Sequence, residues 1–147
     1  MQIARPLPAM QGLAHEFYEW CAKAELRFQR CATCQTWRHV PREMCARCGS
    51  FEWSWARSTG RGRVFTWTVV ERPMHPAFQP DVPYAVVVVE MDEGVRVASN
   101  VVDCAPEQLQ IDMPVEVVFD TVAPGVTLPR FRRVAAHSQR KDARTLD

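Results

Sequence analysis

Two periodicities divide the chain. Between about Gln11 and Lys23, Leu13, Phe17, Trp20 and Ala24 recur at helical spacing, with Glu16, Glu19 and Lys23 on other faces. That predicts a short amphipathic helix, whose apolar side either packs internally or docks on a neighbour. Pro6 and Pro8 make the ten residues before it an irregular lead-in. From Leu26 the pattern alternates. Leu26, Phe28 and Arg30 run into Cys31, Trp37 to Val40 form a hairpin partner ended by Pro41, and Phe51, Trp53 and Trp55 alternate with Glu52 and Ser54. After a hinge-like turn at Ser58-Thr59-Gly60-Arg61-Gly62, further strands are predicted at Arg63–Glu71, 84–91, Val95–Val102, Val115–Phe119 and Leu128–Val134. Pro106–Leu109 reads as a helical turn between the third and fourth of these. Five strands with that short connection match a small Greek-key barrel of the OB type. The expected fold is mainly β with a short N-terminal helix. It divides into a helical segment (1–25), a three-stranded ribbon (26–58), a five-stranded OB-fold barrel (59–134) and a polar, disordered tail (135–147).

The cysteines decide how the ribbon holds together. Cys31, Cys34, Cys45 and Cys48 read C-x2-C-x10-C-x2-C. A two-residue turn points two thiolates at one ion, and a second such turn completes a closed tetrahedral S4 site. Such a site suits one structural Zn2+, because no position is left for water or substrate. Iron in an S4 site is the alternative metal; zinc is favoured because the chain shows no other redox feature. Two disulfides or four free thiols remain the competing arrangement. A ribbon this small has little core, so its folding should depend on the metal. His39 lies between the pairs and is expected at the surface. Cys21 and Cys104 are expected to be buried thiols acting as small apolar groups.

Composition excludes several classes. Hydrophobic residues make up 47% and charged residues 24%, the balance of a folded globular protein. No apolar run approaches the roughly 18 residues of a membrane span, and Met1–Met10 has no signal-peptide pattern, so the expected location is cytoplasmic. Residues 1–58 carry 8 basic and 5 acidic side chains, whereas residues 59–134 carry 7 and 10. A net negative barrel argues against a nucleic-acid partner, although Phe65 and Trp67 are of the kind that stacks on bases. No nucleophile elbow, phosphate loop or H-E-x-x-H occurs. His15, His39, His75 and His137 are scattered, and only His75 lies in a candidate loop. That loop, residues 72–83, holds Pro73, Pro76, Pro80 and Pro83 around Met74 and Phe78. With the segment 122–129 it corresponds to the connections that flank the ligand face of an OB barrel, or else it folds onto its own barrel.

These pieces together resemble a known family. Leu26-Arg27-Phe28-Gln29-Arg30-Cys31, the cysteine quartet, Cys48-Gly49-Ser50, Gly60-Arg61-Gly62-Arg63-Val64-Phe65-Thr66-Trp67, Pro83-Tyr84, Met113-Pro114-Val115-Glu116-Val117 and Leu128-Pro129-Arg130-Phe131 resemble the DUF35 family over about residues 11–134. One departure is Asp112, where the family often has glycine before Met-Pro. The resemblance implies a rubredoxin-like zinc ribbon joined to an acyl-CoA-associated OB fold. It implies a non-catalytic accessory subunit of a hetero-oligomeric thiolase or thiolase-like retro-aldolase. The partner would supply the catalytic residues, and the substrates would be acyl-CoA thioesters from sterols or benzylsuccinyl-CoA-type aromatic intermediates. Trp67, Phe78, Tyr84, Arg130 and Phe131 are the candidate acyl-CoA or partner face. Arg130, Arg132 and Arg133 are candidates for CoA phosphates. A single-stranded nucleic-acid-binding protein and a stand-alone acyl-CoA-binding protein are the alternatives.

Overall fold

The computed structural model describes residues 3–135. Apart from Ala135, the expected disordered tail lies outside the described residues. Helix α1 spans Gly12–Ala22. The strands are β1 (Arg27–Cys31), β2 (Trp37–Arg38), β3 (Trp53–Arg57), β4 (Arg61–Val70), β5 (Tyr84–Met91), β6 (Arg96–Ser99), β7 (Pro114–Ala123) and β8 (Val126–Arg133). Short 3-10 turns occupy Pro76–Asp81 and Pro106–Gln108. Among the described residues no helix is long and apolar enough to cross a membrane.

The first three strands form a sheet in the order β2-β1-β3, and the other five form a sheet in the order β6-β5-β4-β7-β8. All the strand pairs within both sheets are antiparallel. The larger sheet curls until its edges meet. Val101 and Phe131 form a parallel bridge, with Phe131 N–H to Asn100 O at 3.0 Å and Val102 N–H to Phe131 O at 2.7 Å. The Ser99 hydroxyl donates to the Pro129 carbonyl at 2.8 Å across the same seam. The result is a nearly closed five-stranded OB barrel, which removes most of the exposed strand edge.

Side-chain alternation explains most of its core. Val87, Val89 and Met91 of β5 point inward, and they meet Val64, Val97, Val115 and Phe131. Full burial of such side chains stabilises by about 1.5–3 kcal/mol each. The register slips between Val64 and Thr66, so Phe65 is an extra residue in β4. Phe65 faces out beneath the Arg96 guanidinium, 3.7 Å from its ring centroid. The bulge thereby returns Trp67 to the inner side, where it packs against the core.

Ribbon, helix and barrel share that core. Phe17, Cys21, Leu26 and Phe28 belong to the same buried cluster as the barrel valines. The turn at 58–62, read from sequence as hinge-like, is clasped. Ser58 N–H bonds Leu26 O (2.8 Å), Thr59 N–H bonds the Glu93 carboxylate (2.7 Å), the Thr59 hydroxyl bonds Asp92 (3.2 Å), and Val117 N–H bonds Gly60 O (2.7 Å). A second expectation also changes. Residues 122–129 are not an open loop, because β7 and β8 pair as far as Ala123 and Val126.

Two backbone positions account for sequence features. Asp112, the residue that departs from the family glycine, has φ 63°, a left-handed conformation that glycine adopts freely and aspartate tolerates. Gly62 is required by close approach: a Cβ there would lie 2.5 Å from the Glu90 carbonyl oxygen and 2.8 Å from Val89 Cγ1. Gly62→Ala should force β4 from β5 and cost about 1–3 kcal/mol. Urea unfolding checks this, and an unchanged midpoint would contradict it.

Candidate metal centre and barrel groove

The two C-x2-C turns are built alike. In the first, Gln35 N–H bonds Cys31 O (3.0 Å) and Cys31 N–H bonds Thr36 O (2.9 Å); in the second, Gly49 N–H bonds Cys45 O (2.8 Å) and Cys45 N–H bonds Ser50 O (2.8 Å). Each closes through a left-handed residue, Gln35 (φ 64°) or Gly49 (φ 76°). The β1–β3 pairing brings the two turns together, since Cys31 lies opposite Trp53. All four Sγ atoms lie within 4.8 Å of one another, with Cys31–Cys48 and Cys34–Cys45 each at 3.6 Å.

These spacings fit one ion. Tetrahedral zinc with sulfur at about 2.3 Å requires sulfurs about 3.8 Å apart. The surroundings favour thiolates unevenly. The Cys34 N–H directed at Cys31 Sγ lowers the Cys31 pKa. The Thr36 hydroxyl, then its N–H, brings Cys34 down to about 6. At Cys48 the Ser50 N–H favours the thiolate, but desolvation and the other three sulfurs outweigh it and push the thiol up to about 11. Four thiolates so close repel one another, so full deprotonation needs a cation. A bound Zn2+ would hold the two turns together as a structural centre, with all four protein ligands supplied by Cys31, Cys34, Cys45 and Cys48.

His39, left over once four cysteines fill the site, is not the surface residue expected. Its ring lies 5.1 Å from that of Phe17 and 5.2 Å from that of Phe28, at the join between helix and ribbon. Its Nδ1 is buried without a hydrogen-bond partner. Desolvation lowers its pKa to about 4. The unfolded chain, with an ordinary histidine pKa near 6.5, then binds a proton that the folded chain refuses. Stability attributable to His39 is full above about pH 6.5, and it falls between there and about pH 4. The difference in stability between His39→Leu and the parent should therefore grow in favour of the variant across that window. Parallel denaturant curves at pH 7 and pH 5 would check it.

The second concave feature is a groove of about 780 Å³ on the barrel, whose lining includes Arg5, Phe78, Tyr84, Asn100, Cys104 and Arg130. Three of the five residues singled out from sequence meet here. Phe78 sits in the 3-10 turn with its ring 6.4 Å from Tyr84. Arg130 bonds Asn100 Oδ1 at 2.8 Å and pairs with Asp120 at 2.7 Å. The other two are elsewhere. Trp67 packs against the barrel core, and Phe131 is 0% exposed, because the β8 alternation and the seam turn it inward. Phe131 therefore presents no face to a ligand or partner.

The arginines proposed for phosphates are already engaged: Arg132 pairs with Glu116 at 2.7 Å and Arg133 donates to Asp103 O at 2.6 Å. Cys21 is buried as expected, and burial raises its thiol pKa to about 12. Cys104 is only half-buried, because it lies on the groove's rim between β6 and the turn at Pro106. Arg5 was unforeseeable from periodicity. It reaches back from the irregular lead-in to pair with Asp81 at 2.7 Å, and its guanidinium lies 5.3 Å from the Phe78 centroid.

Residues 21–54 match the profile "ChsH2, rubredoxin-like zinc ribbon domain", and residues 55–120 match "ChsH2, C-terminal OB-fold domain". The "DUF35 domain-containing scaffold protein" of Methanothermobacter thermautotrophicus is 32% identical over 111 residues, covering 61% of this chain and 83% of that protein. The "Probable enoyl-CoA hydratase alpha subunit" of Thermomonospora curvata is 41% identical over 128 residues, covering 87% of this chain. The chain spans only 40% of that protein's length. The "3-oxo-4,17-pregnadiene-20-carboxyl-CoA hydratase alpha subunit" of Mycobacterium tuberculosis is 32% identical over 103 residues, 70% of this chain and 32% of its own length. Among solved structures, a chain of the "Ltp2-ChsH2(DUF35) aldolase" superposes with a TM-score of 0.77 at 40% identity, covering 86% of this chain and 98% of its own. A four-cysteine clamp, a nearly closed five-stranded barrel and these matches place the chain in the DUF35 family, as a ChsH2-type rubredoxin-like zinc ribbon joined to an OB fold.

Proposed function

We propose that this chain is a non-catalytic, zinc-stapled accessory component of a hetero-oligomeric complex that acts on acyl-CoA thioesters. Its partner is a thiolase-like subunit with retro-aldolase chemistry, which supplies the reacting groups. The observation that carries this reading is the likeness to a chain of the "Ltp2-ChsH2(DUF35) aldolase", at 40% identity with 98% of that chain covered. The residues agree with it. Four cysteines are committed to the clamp. His15 bonds Met10 O and His75 accepts from Ala77 N–H, so neither is poised on a nucleophile. The groove at Phe78, Tyr84 and Arg130 is the surface that would complete the partner's acyl-CoA chamber. Sterol-derived and benzylsuccinyl-CoA-type thioesters are the substrate classes, and the cytoplasm is the expected setting. A second reading has a specific basis in the two hydratase alpha-subunit relatives: the partner would then be an enoyl-CoA hydratase.

Co-expression tests both. With a thiolase-like partner, the two chains should co-elute, and the mixture should cleave a β-hydroxyacyl-CoA that neither chain cleaves alone. Co-elution with a hydratase and hydration of an enoyl-CoA would favour the second reading. Thioester turnover by the purified chain by itself would end the accessory reading altogether.

A further inference from the structure

We infer that Arg47 and Thr36 form a hydrogen-bond relay that ties the second cysteine turn to the first and steadies Cys34 as a zinc ligand. Four thiolates and one Zn2+ carry a net charge of −2, which the surrounding ribbon has to answer. Two of the ribbon's arginines, Arg30 and Arg47, sit where they can do so. On the barrel, Arg63, Arg96, Arg130 and Arg132 each pair with a carboxylate. On the ribbon, among the described residues, only Arg27 does so. Arg30 and Arg47 instead bond groups of the first cysteine turn. Arg30 donates to the carbonyl of Gln35, the residue after Cys34, at 3.2 Å. Arg47, which lies between Cys45 and Cys48, donates from Nη1 to Thr36 Oγ1 at 3.4 Å. The same Oγ1 lies 3.1 Å from Cys34 Sγ.

The donor count makes this a directional chain. A guanidinium only donates, and a thiolate only accepts. Once zinc holds Cys34 as a thiolate, the single Thr36 hydroxyl proton would be directed at its sulfur, and the adjacent positive charge would polarise it. Thr36 cannot drift, because its own carbonyl accepts the Cys31 N–H at 2.9 Å. One relay thus bridges both turns through residues that are not ligands. It also assigns part of the ribbon's basic surplus to the metal centre and not to a nucleic acid. The inference concerns the clamp alone and is independent of the identity of the partner enzyme.

The test uses the full chain. Zinc affinity is measured by competition with a chromophoric chelator for the parent, Thr36→Val, Arg47→Gln and the double variant. Thr36→Val should weaken zinc by about 10-fold, the lower end for loss of an outer-shell partner. Arg47→Gln, an exposed contact, should weaken it by about 3-fold. The double variant should be no weaker than Thr36→Val, because Arg47 acts through the hydroxyl. Cobalt-substituted protein provides a readout that a purely structural role would not move. The sulfur-to-cobalt charge-transfer band should shift to lower energy in Thr36→Val and less so in Arg47→Gln, with Thr36→Ser at the parental position. If Thr36→Val fails to fold, Arg47→Gln and Thr36→Ser carry the test. Parental zinc affinity and cobalt band in Arg47→Gln, or multiplicative losses in the double variant, would overturn the relay.

Discussion

Cys31→Ser is expected to release the zinc and unfold the ribbon. Cys31 is 0% exposed at the end of β1, and its sulfur is 3.6 Å from that of Cys48. A hydroxyl there is a poorer zinc ligand than a thiolate, and burial leaves no room for another group to replace it. Structural zinc contributes about 10–16 kcal/mol of binding free energy in small zinc domains, and that energy is folding energy. The ribbon strands are two to five residues long and cannot compensate. Amide protection should vanish over residues 27–38 and 45–57. The near-UV signal of Trp37, Trp53 and Trp55 should collapse with it.

The damage should also reach the barrel, because Phe17 and Phe28 belong to its cluster. Losing about 3 kcal/mol of shared packing lowers the melting temperature by roughly 10 °C in a domain of this size. Chelation of the parent protein should reproduce the variant, and acid should do so progressively as protons compete for the thiolates. A Cys31→Ser protein that still holds one zinc per chain and melts as before would refute the structural role of the clamp.

Phe131→Ala should be the most damaging single change in the barrel. Phe131 is fully buried, bridges to Val101 across the barrel seam, and packs with Val64 and Val115. Truncating a buried phenylalanine costs about 3–5 kcal/mol through lost transfer energy and the cavity left behind. Phe78→Ala is the informative contrast. Phe78 is half-buried on the groove, so its loss should cost less than about 1 kcal/mol and, on the function proposed above, should weaken association with the partner or thioester. Urea midpoints at constant slope, measured beside partner binding, separate the two. Stable folding of Phe131→Ala with selective loss of binding would return Phe131 to the ligand face.

The barrel shows where local pattern suffices and where it fails. Tyr84–Met91 was legible as a strand because it is a strand-sized run of β-branched valines, although which valines face inward emerged only from the fold. β4 was harder, since the bulge at Phe65 shifts the alternation by one and sends Trp67 to the other side. The 122–129 segment misled because Pro124, Gly125 and Pro129 look like an open loop, yet only the first two sit at the turn between paired strands. His39 misled for a different reason. Four cysteines already completed the metal site and left a histidine between them no task, and only the packing of Phe17 and Phe28 around its ring encloses it.

What the residues determined alone is local: a metal clamp from cysteine spacing, a helix from a 3.6-residue period, strands from alternation. Each of these is set by bonds and side chains within a few positions of one another. The tertiary structure decided what depends on distant segments meeting. It joined Arg5 to Asp81 and Phe78, turned Phe131 into the seam, and brought Arg47 of one cysteine turn to Thr36 of the other. Such contacts follow from chain closure and packing, which no local period encodes.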